Sequence, residues 1–450
     1  MPSISTKRGL ARTPWTVHCR LDMKYIELNS EASAASASEL NRRYIPNDRL
    51  IQQVHDILDQ VRLGGDEAIL RLIARFDHTV FSQNELKVDQ SEINNAAQDL
   101  DPEFRDAFQT AKHNVQEFAS KSRRTDWLTK NEQGAEVGEY FHPFQRVGIY
   151  VPAGTAPLVS SAIMTVSLAA VVAVPEIVVV SPVGPDKKMN QALLAALHLA
   201  GATEIFKVGG AQAIGALAFG TSAIPKVDKI FGPGNAYVTE AKRQVFGYVA
   251  VDLLPGPSEI LVLADSSAEP AWLAADLLAQ AEHGPGSVIC LVSPNRNILE
   301  ATCRELAKQM ETLSRREYLE EVVENRAYAV LTSDIAQAIR FANEFAPEHL
   351  SIVTEDPVNV ARQVRNAGAI FLGPYSPVVA GDFLAGPSHE LPTGGAGKSF
   401  AGLTVDQFQR RTSVVSYSPE ALRKSLPMIE KFSAAEHLEA HGRSARMRFQ

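Results

Sequence analysis

Ile177-Val-Val-Val-Ser181 is an almost uninterrupted run of β-branched apolar residues. Such a run is typical of a strand that is covered on both faces, as in the parallel sheets of α/β proteins. Similar runs are Val147-Gly-Ile-Tyr-Val151, Ile205-Phe-Lys-Val208 and Val227-Asp-Lys-Ile-Phe231. Alanine-rich segments, such as residues 211–218, lie between these runs and predict helices. The alternation predicts a parallel α/β unit.

The same alternation resumes after Ser258. The predicted strands there are Ile260-Leu-Val-Leu263, 288–292, Ala329-Val-Leu331 and Ala369-Ile-Phe-Leu372, with helices at 271–281 and 335–345. Beyond residue 392 we predict a strand at 413–416, a helix that opens at Pro419 and a helix from about 427 to 446. The fold class is therefore α/β, with two Rossmann-like parallel-sheet domains, a helical N-terminal region and a C-terminal helical tail.

The N-terminal region begins with a basic stretch that lacks the apolar core of a signal peptide. A transit peptide is one interpretation, and we favour Met23 as the true start because Met23-Lys-Tyr-Ile-Glu-Leu28 resembles a first strand. Leu50, Val54, Leu58 and Val61 then recur at helical spacing, and Gly64-Gly65 is expected to end that helix.

These patterns divide the chain into five segments. They are an extension at 1–22, expected to be disordered; the N-terminal helical part of the first α/β domain at 23–145; the second α/β domain at 146–257; the remainder of the first domain at 258–392; and a tail at 393–450.

The composition excludes several classes of protein. The net charge of −8 over 450 residues offers no basic face for nucleic acid, and no apolar run reaches the ~18 residues of a membrane helix. Cys19, Cys290 and Cys303 match no redox or zinc motif, and Cys290 lies in an apolar run that predicts a buried thiol. A reducing, cytoplasmic setting fits best.

Polar residues that could carry chemistry recur in the C-terminal half. Gln280 and His283 are three residues apart at a predicted helix end, where both could reach one zinc ion, although a lone histidine interacting with the helix dipole is the plainer interpretation. Glu348 and His349 follow Pro347 on a predicted loop and could act as an acid–base pair, or form an exposed turn.

Two later segments add further candidates. Asp382 and His389 lie on a long Gly- and Pro-rich loop after a predicted strand, and we expect them outside the carboxyl ends of the strands, where parallel sheets bind ligands. Glu436, His437 and His441 follow one another on the predicted final helix, for which a solvated face is the simpler reading.

Two glycine-rich turns are candidate nucleotide sites. They are Val208-Gly-Gly-Ala-Gln-Ala213 and Phe231-Gly-Pro-Gly-Asn-Ala-Tyr237, and each follows a strand and leads into a helix. Backbone N–H groups in such turns can meet a pyrophosphate. Neither turn has the Gly-x-Gly-x-x-Gly pattern, so tight strand–helix turns are the plainer interpretation.

Together these segments resemble the histidinol dehydrogenase family from about residue 42 to residue 441. The most specific stretches are Val208-Gly-Gly-Ala-Gln-Ala-Ile214, Lys226-Val-Asp-Lys-Ile-Phe-Gly-Pro-Gly-Asn235, Gly256-Pro-Ser-Glu259, Gln280-Ala-Glu-His-Gly-Pro285, Pro347-Glu-His-Leu350 and Gly386-Pro-Ser-His-Glu-Leu-Pro-Thr393. The resemblance implies NAD-linked oxidation of L-histidinol to L-histidine through the aldehyde, with two NAD⁺ and one zinc ion per subunit, in histidine biosynthesis.

The resemblance also implies roles for individual residues. The implied zinc ligands are Gln280, His283, Asp382 and His441; the acid–base pair is Glu348 and His349; further substrate contacts are Ser258, His389 and Glu436; the NAD contacts are Tyr150, Gln212 and Asn235. The family forms homodimers in which the C-terminal tail crosses over, so Glu436 and His441 would complete the partner's site. That would place NAD in the 146–257 domain and the zinc and acid–base residues in 258–392.

The sequence departs from the family pattern only in the cofactor half. Ala153 replaces a usual glycine, Leu168 a usual proline, Val172-Ala173 a usual Ala-Gly pair, and Pro255 a small residue. One alternative function is oxidation of another small alcohol, such as a sulfonated polyol, by the same machinery. A second is a non-catalytic binding protein on a decayed scaffold, which loss of a zinc ligand or of His349 would favour; none is lost.

Overall fold

A computed structural model describes residues 23–28, 40, 42, 45–153 and 157–450. The expectations for residues 1–22, Cys19 included, lie outside these ranges. In chain order the strands are β1 (Lys24–Glu27), β2 (Trp127–Lys130), β3 (Glu136–Pro143), β4 (Arg146–Tyr150), β5 (Glu176–Ser181), β6 (Glu204–Lys207), β7 (Lys229–Phe231), β8 (Ala250–Val251), β9 (Glu259–Ala264), β10 (Val288–Ser293), β11 (Ala327–Leu331), β12 (His349–Val353), β13 (Ala369–Leu372) and β14 (Gln409–Ser416).

Helices lie between most of these strands. They are α1 (Asp48–Phe76), α2 (Gln90–Gln98), α3 (Pro102–Ser122), α4 (Val159–Ser161), α5 (Ser167–Val171), α6 (Gln191–Ala200), α7 (Gly210–Phe219), α8 (Ala236–Val245), α9 (Pro270–Ala281), α10 (Arg296–Met310), α11 (Arg316–Arg326), α12 (Ile335–Phe345), α13 (Pro357–Ala361), α14 (Val378–Phe383), α15 (Pro419–Ala435) and α16 (Glu439–Arg446). A π-helical turn, Ala162–Val166, joins α4 to α5, and 3₁₀ turns lie at Gln83–Glu85, Ala396–Lys398, Val405–Phe408 and Met447–Phe449.

Two parallel sheets confirm the α/β fold class. The five-stranded sheet has the order β6-β5-β4-β7-β8, and the six-stranded sheet has the order β1-β11-β10-β9-β12-β13. All neighbouring strands in both sheets are parallel. Every residue of β9, β10 and β12 is buried, because helices cover both faces and leave no solvent side for polar residues.

The five-stranded sheet is sandwiched between two apolar clusters. Ile177 and Val179 of β5 face one cluster, with α2, α3 and α6, while Val178 and Val180 face the other, with α1, α7 and α8. The alternation of faces along one strand explains why the continuous run is apolar throughout. Of the N-terminal region at 23–145, β1 joins the six-stranded sheet, whereas α1, α2 and α3 pack on the five-stranded sheet.

The predicted end of the first helix at Gly64-Gly65 is confirmed as a kink inside α1. Gly65 has φ +51° and ψ −135°, which no helical residue adopts, and a second helical stretch continues to Phe76. Cys290 is fully buried as predicted. The long apolar segment after residue 161 is helical and leads into β5, and no helix among the described residues has the length and apolar character to cross a membrane.

A third, antiparallel sheet was not predicted. β14 pairs with β3 along eight positions, from Gln409 opposite Pro143 to Ser416 opposite Glu136, and β2 flanks β3 on the other side. Only residues 413–416 were expected to form a strand there. The tail is therefore anchored to residues 136–143 before it continues into helices.

The end of the tail differs from the predicted single helix over 427–446. Pro427 lies inside α15, and the chain breaks at His437, whose φ of +58° is left-handed. Glu436 and His437 thus belong to the turn between α15 and α16. The two helices form a hairpin in which the Ser433 hydroxyl donates to the Leu438 carbonyl at 2.6 Å and accepts from the Gly442 N–H at 3.1 Å.

Candidate active site

The acid–base candidates lie at the amino edge of the six-stranded sheet. Ser258 directly precedes β9, and Glu348 directly precedes β12, whose first residue His349 pairs with Ile260. The expectation that Asp382 and His389 lie outside the carboxyl ends of the strands is wrong. Helix α14 runs back from β13, so Asp382 approaches His349 at the opposite edge.

His349 is held in one tautomer. Its Nδ1 lies 3.1 Å from the backbone carbonyl of Glu259, and a carbonyl can only accept, so Nδ1 carries the proton. Burial lowers the pKa of His349 to about 4, so the ring is neutral near pH 7. Its Nε2 is buried without a hydrogen-bond partner. An unpaired, neutral Nε2 is suited to accept a proton from a ligand.

Glu348 is buried beside this imidazole. Its Oε2 accepts from the Ser258 hydroxyl at 2.5 Å and from the Glu259 N–H at 2.7 Å, and it lies 3.5 Å from His349 Nδ1. Burial raises the pKa of Glu348 well above its usual range in spite of these two donors. A raised pKa suits a carboxyl group that must take up and release a proton during a reaction. Neither residue lies on the exposed turn that the sequence allowed.

Asp382 connects His349 to His389. One oxygen of its carboxylate lies 3.9 Å from His349 Nε2 and 3.9 Å from His389 Nδ1. His389 Nδ1 also lies 3.1 Å from the Asp382 carbonyl, and its Nε2 lies 3.5 Å from Glu390. Burial opposes protonation of His389, but the Glu390 and Asp382 carboxylates outweigh it and raise its pKa.

Gln280 lies at the end of α9 and His283 in the turn directly after it, on the side of this edge. Gln280 is the penultimate residue of α9; its side chain is buried, and the amide nitrogen has no partner in the chain. Desolvation by neighbouring protein atoms, and then the charge of His389, lower the pKa of His283, although the residue remains open to solvent. The charge of His283 also acts on His349. The single chain therefore brings Gln280 and His283 to the same edge as the acid–base candidates.

Glu436 and His441 are not brought to this edge within one chain. Both are exposed on the terminal hairpin, whose main contacts run between α15 and α16 themselves. In the described part of one chain, His, Cys, Asp and Glu nowhere form a group of three or more able to hold a metal ion. Within one chain, His441 therefore stays apart from the other candidate zinc ligands.

Two charged residues beneath the site were missed by the sequence reasoning. The Glu259 carboxylate accepts from Arg42 at 2.5 Å, from the Gly394 N–H at 3.1 Å and from the Glu348 N–H at 3.3 Å. Arg42 also donates to the Phe345 carbonyl and stacks on the Phe345 ring at 3.3 Å. An acidic residue that opens a fully apolar strand was the available signal for Glu259, whereas nothing local identified Arg42.

The three candidate NAD contacts lie together at the carboxyl edge of the five-stranded sheet. Tyr150 ends β4, Gln212 lies in the first turn of α7, and Asn235 caps α8. The Tyr150 hydroxyl accepts from the Gly210 N–H at 3.1 Å, and burial raises the pKa of Tyr150 to about 12. Asn235 is exposed and Gln212 is buried. A ligand at this edge could meet all three through the two glycine-rich turns.

Several backbone donors in these turns are already bonded. The Gly210 N–H donates to Tyr150, and the N–H groups of Tyr237 and Val238 donate to the Asn235 side chain. These three N–H groups are therefore already committed within the chain, as in the tight strand–helix turns that the sequence favours.

The two edges meet through a few direct contacts. The Ser388 hydroxyl donates to the Met164 carbonyl in the π-helical turn at 3.2 Å, and the Gly256 N–H donates to the Thr393 hydroxyl at 2.6 Å. The loop that carries His389 thus touches the π-helical turn that follows β4, the strand that ends at Tyr150. These two contacts join the segments that carry the two groups of candidate residues.

The sequence matches one known protein family over most of its length. The family model described as histidinol dehydrogenase matches residues 40–449. The chain belongs to the histidinol dehydrogenase family. A histidinol dehydrogenase of Listeria innocua is 42% identical over 404 residues, which cover 90% of this chain and 94% of that protein. One of Heliobacterium mobile is 38% identical over 425 residues, which cover 94% and 100%.

A solved structure supports the same membership. The crystal structure of histidinol dehydrogenase from Elizabethkingia anophelis superposes with a TM-score of 0.91 at 32% identity, covering 96% of this chain and 99% of that one. The region matched to the histidinol dehydrogenase family contains all of the candidate site residues and the whole of the terminal hairpin.

Proposed function

We propose that this chain oxidises L-histidinol to L-histidine through L-histidinal, with two NAD⁺ and one zinc ion per subunit, as the last steps of histidine biosynthesis. The observation that carries the proposal is the buried, unpaired Nε2 of His349, in a fixed tautomer beside Glu348. Membership of the histidinol dehydrogenase family supports the choice of substrate.

The donor set near His349 fits zinc. Gln280 offers an amide oxygen, His283 an imidazole nitrogen and Asp382 a carboxylate, all of which zinc accepts. The buried amide of Gln280 has a nitrogen without a partner, which suits an amide whose oxygen binds an ion. We assign the fourth ligand to His441 of a second copy. Bound there, zinc would hold the amino and imidazole groups of the substrate.

His349 would act as the base in both oxidations. Its Nε2 would accept the hydroxyl proton of histidinol while a hydride passes from the carbon that bears this hydroxyl to NAD⁺, which gives histidinal and NADH. The Nδ1–H bond to the Glu259 carbonyl stabilises the imidazolium that forms. The low pKa of the free ring means that it returns this proton readily.

Glu348 would act between the two oxidations. When ionised, its carboxylate would take a proton from water as the water oxygen attacks the aldehyde carbon, while the imidazolium of His349 returns its proton to the aldehyde oxygen, and the product is the hydrate. The hydrate then loses a hydride to a second NAD⁺ and a proton to His349, which gives the carboxylic acid. The Ser258 hydroxyl and the Glu259 N–H orient Glu348 for this step.

The remaining assignments concern binding. Glu436, as a carboxylate, suits the ammonium group of histidinol, and His389 and Ser258 would contact the substrate from the loop and the β9 edge. Gln280, His283, His349, Asp382 and His441 would border the same substrate. Tyr150, Gln212 and Asn235 would contact NAD⁺ at the facing edge.

A homodimer with an exchanged tail accounts for the exposed hairpin. Met428, Phe432, Leu438 and Met447 of the hairpin are between 41% and 70% exposed in one chain, which is costly for apolar side chains. The patch beside α9 and α14 is also apolar, with Trp272 and Phe383 exposed. Docking of the hairpin of one copy on this patch of the other would bury both and deliver Glu436 and His441.

The test is the stoichiometry of the reaction in the presence of zinc. Purified enzyme with NAD⁺ and L-histidinol should yield two NADH per histidine, and chelation of zinc should abolish turnover until zinc is restored. Turnover of a different alcohol without activity on histidinol would replace the substrate assignment. Full activity of protein that metal analysis finds free of zinc would contradict the ligand set.

A further inference from the structure

A buried ion pair lies beside the proposed NAD⁺ site and has no role in the chemistry described so far. Lys242 of α8 and Asp252 after β8 pair with each other, and their side chains are only 1% and 4% exposed. Replacement of such a pair by apolar residues is often neutral or stabilising, so a buried pair is weak evidence of a contribution to stability. Its contacts point to another role.

The ion pair binds both the backbone N–H and the backbone carbonyl of Gly232. The Gly232 N–H donates to Asp252 Oδ2 at 2.7 Å, and Lys242 Nζ donates to the Gly232 carbonyl at 2.8 Å. Gly232 follows β7 and opens the turn that ends at Asn235, the cap of α8. Because Lys242 is on that same helix, the turn, the helix and the pair form a closed ring of contacts.

Only glycine fits at this position of the turn. Its φ is +100°, and a Cβ there would lie 2.1 Å from the Tyr150 carbonyl oxygen. The turn is therefore pressed directly against the strand end that carries Tyr150. A shift of Gly232 would move Asn235, three residues later, relative to Tyr150.

We propose that Lys242 and Asp252 are positioning residues for NAD⁺, which act by fixing the Gly232 peptide and through it the placement of Asn235 against Tyr150. This inference rests on the proposed function, since it deepens the assignment of the NAD⁺ site. Neither side chain contacts the cofactor in this account. We therefore expect these two residues to affect the affinity for NAD⁺ and not the affinity for histidinol.

The test compares K242M and D252N with the wild-type enzyme. D252N keeps an oxygen that can accept from the Gly232 N–H but removes the charge, so it serves if K242M folds poorly. Affinity for NAD⁺ is measured by calorimetry without histidinol, and KM is measured for both substrates. We expect the Kd and KM for NAD⁺ to rise about tenfold or more in K242M and less in D252N, with KM for histidinol changed less than about twofold.

E204Q is the matched control. Glu204 pairs with Arg146 at the opposite, amino edge of the same sheet, so its loss perturbs an ion pair without touching the turn. E204Q should leave the Kd for NAD⁺ unchanged. Variants K242M and D252N that unfold at lower temperature yet bind NAD⁺ with wild-type affinity would overturn the positioning role. A wild-type enzyme that binds no NAD⁺ would instead contradict the proposed function.

Discussion

Substitution of Gly232 by alanine tests how tightly the turn beside Tyr150 is packed. Two costs arise together. Alanine at a positive φ costs about 1–2 kcal/mol, and a methyl group 2.1 Å from the Tyr150 carbonyl oxygen forces the backbone apart. Overpacking of this kind costs about 1–3 kcal/mol. The sum is a loss of about 2–5 kcal/mol in the free energy of unfolding.

Gly247 provides the control that separates the two costs. Its φ is +103°, almost the same as at Gly232, but nothing lies within 4 Å of the position of its Cβ. G247A should therefore show the strain of the positive φ alone. The difference between G232A and G247A isolates the collision with Tyr150, and we expect it to be about 1–3 kcal/mol.

Urea unfolding of both variants measures these losses, and calorimetric titration with NAD⁺ measures the effect on the site. G232A should bind NAD⁺ more weakly because relief of the collision displaces the turn that carries Asn235, whereas G247A should bind normally. If G232A proves no less stable than G247A and equally competent to bind NAD⁺, the reasoning about this turn is wrong.

Two further predictions concern the amino edge of the six-stranded sheet, where the zinc and acid–base candidates lie. When the inactive variants D382N and H441N are refolded together, about half of the dimers should contain one chain of each variant, and each such dimer should have one intact site of its two. Activity should therefore recover to about a quarter of the wild-type value. No recovery would exclude a site shared between copies. Asp276, one turn before Gln280, has its pKa raised to about 6 by burial. At a pH below the pKa of Asp276 in the unfolded chain, Asp276 is protonated in both the folded and the unfolded protein. The free energy of unfolding then falls as the pH rises from about 4 to 6, because the unfolded chain loses this proton first. D276N should therefore exceed the wild type in free energy of unfolding by about 1–2 kcal/mol at pH 8 after allowance for partial exposure, with little difference at pH 4; a gap that is equal at both pH values would contradict the assignment.

The two parallel sheets were predictable because their strands are buried on both faces. A run such as 177–181 has no polar alternative, and its length and composition decide the element without tertiary information. The antiparallel sheet lacked this signal. All four residues of β2 are exposed, and β14 is mostly exposed, so no apolar alternation distinguished these strands from loops.

The site was predictable in its residues but not in its geometry. The sequence placed His349 after Pro347 on a loop, whereas it begins a buried strand, because pairing with β9 and β13 outweighs the local turn signal. Arg42 lies 217 residues from Glu259, and no local pattern joins such partners. Chain reversal by α14 likewise moved Asp382 to the edge opposite the one expected.

A short connector, residues 252–258, joins the turn at Gly232 to the acid–base pair. Asp252 holds Gly232 at one end, Ser258 bonds Glu348 at the other, and the Gly256 N–H between them is bound to Thr393. Six residues of extended chain span at most about 20 Å, so the turn at the NAD⁺ edge and the acid–base pair cannot separate further while these contacts hold. Hydride transfer requires the two reactants within a few ångströms of each other. The connector limits how far the two edges can part but is too long to fix a separation of a few ångströms, so the residues proposed to bind the substrate and NAD⁺ must set that distance.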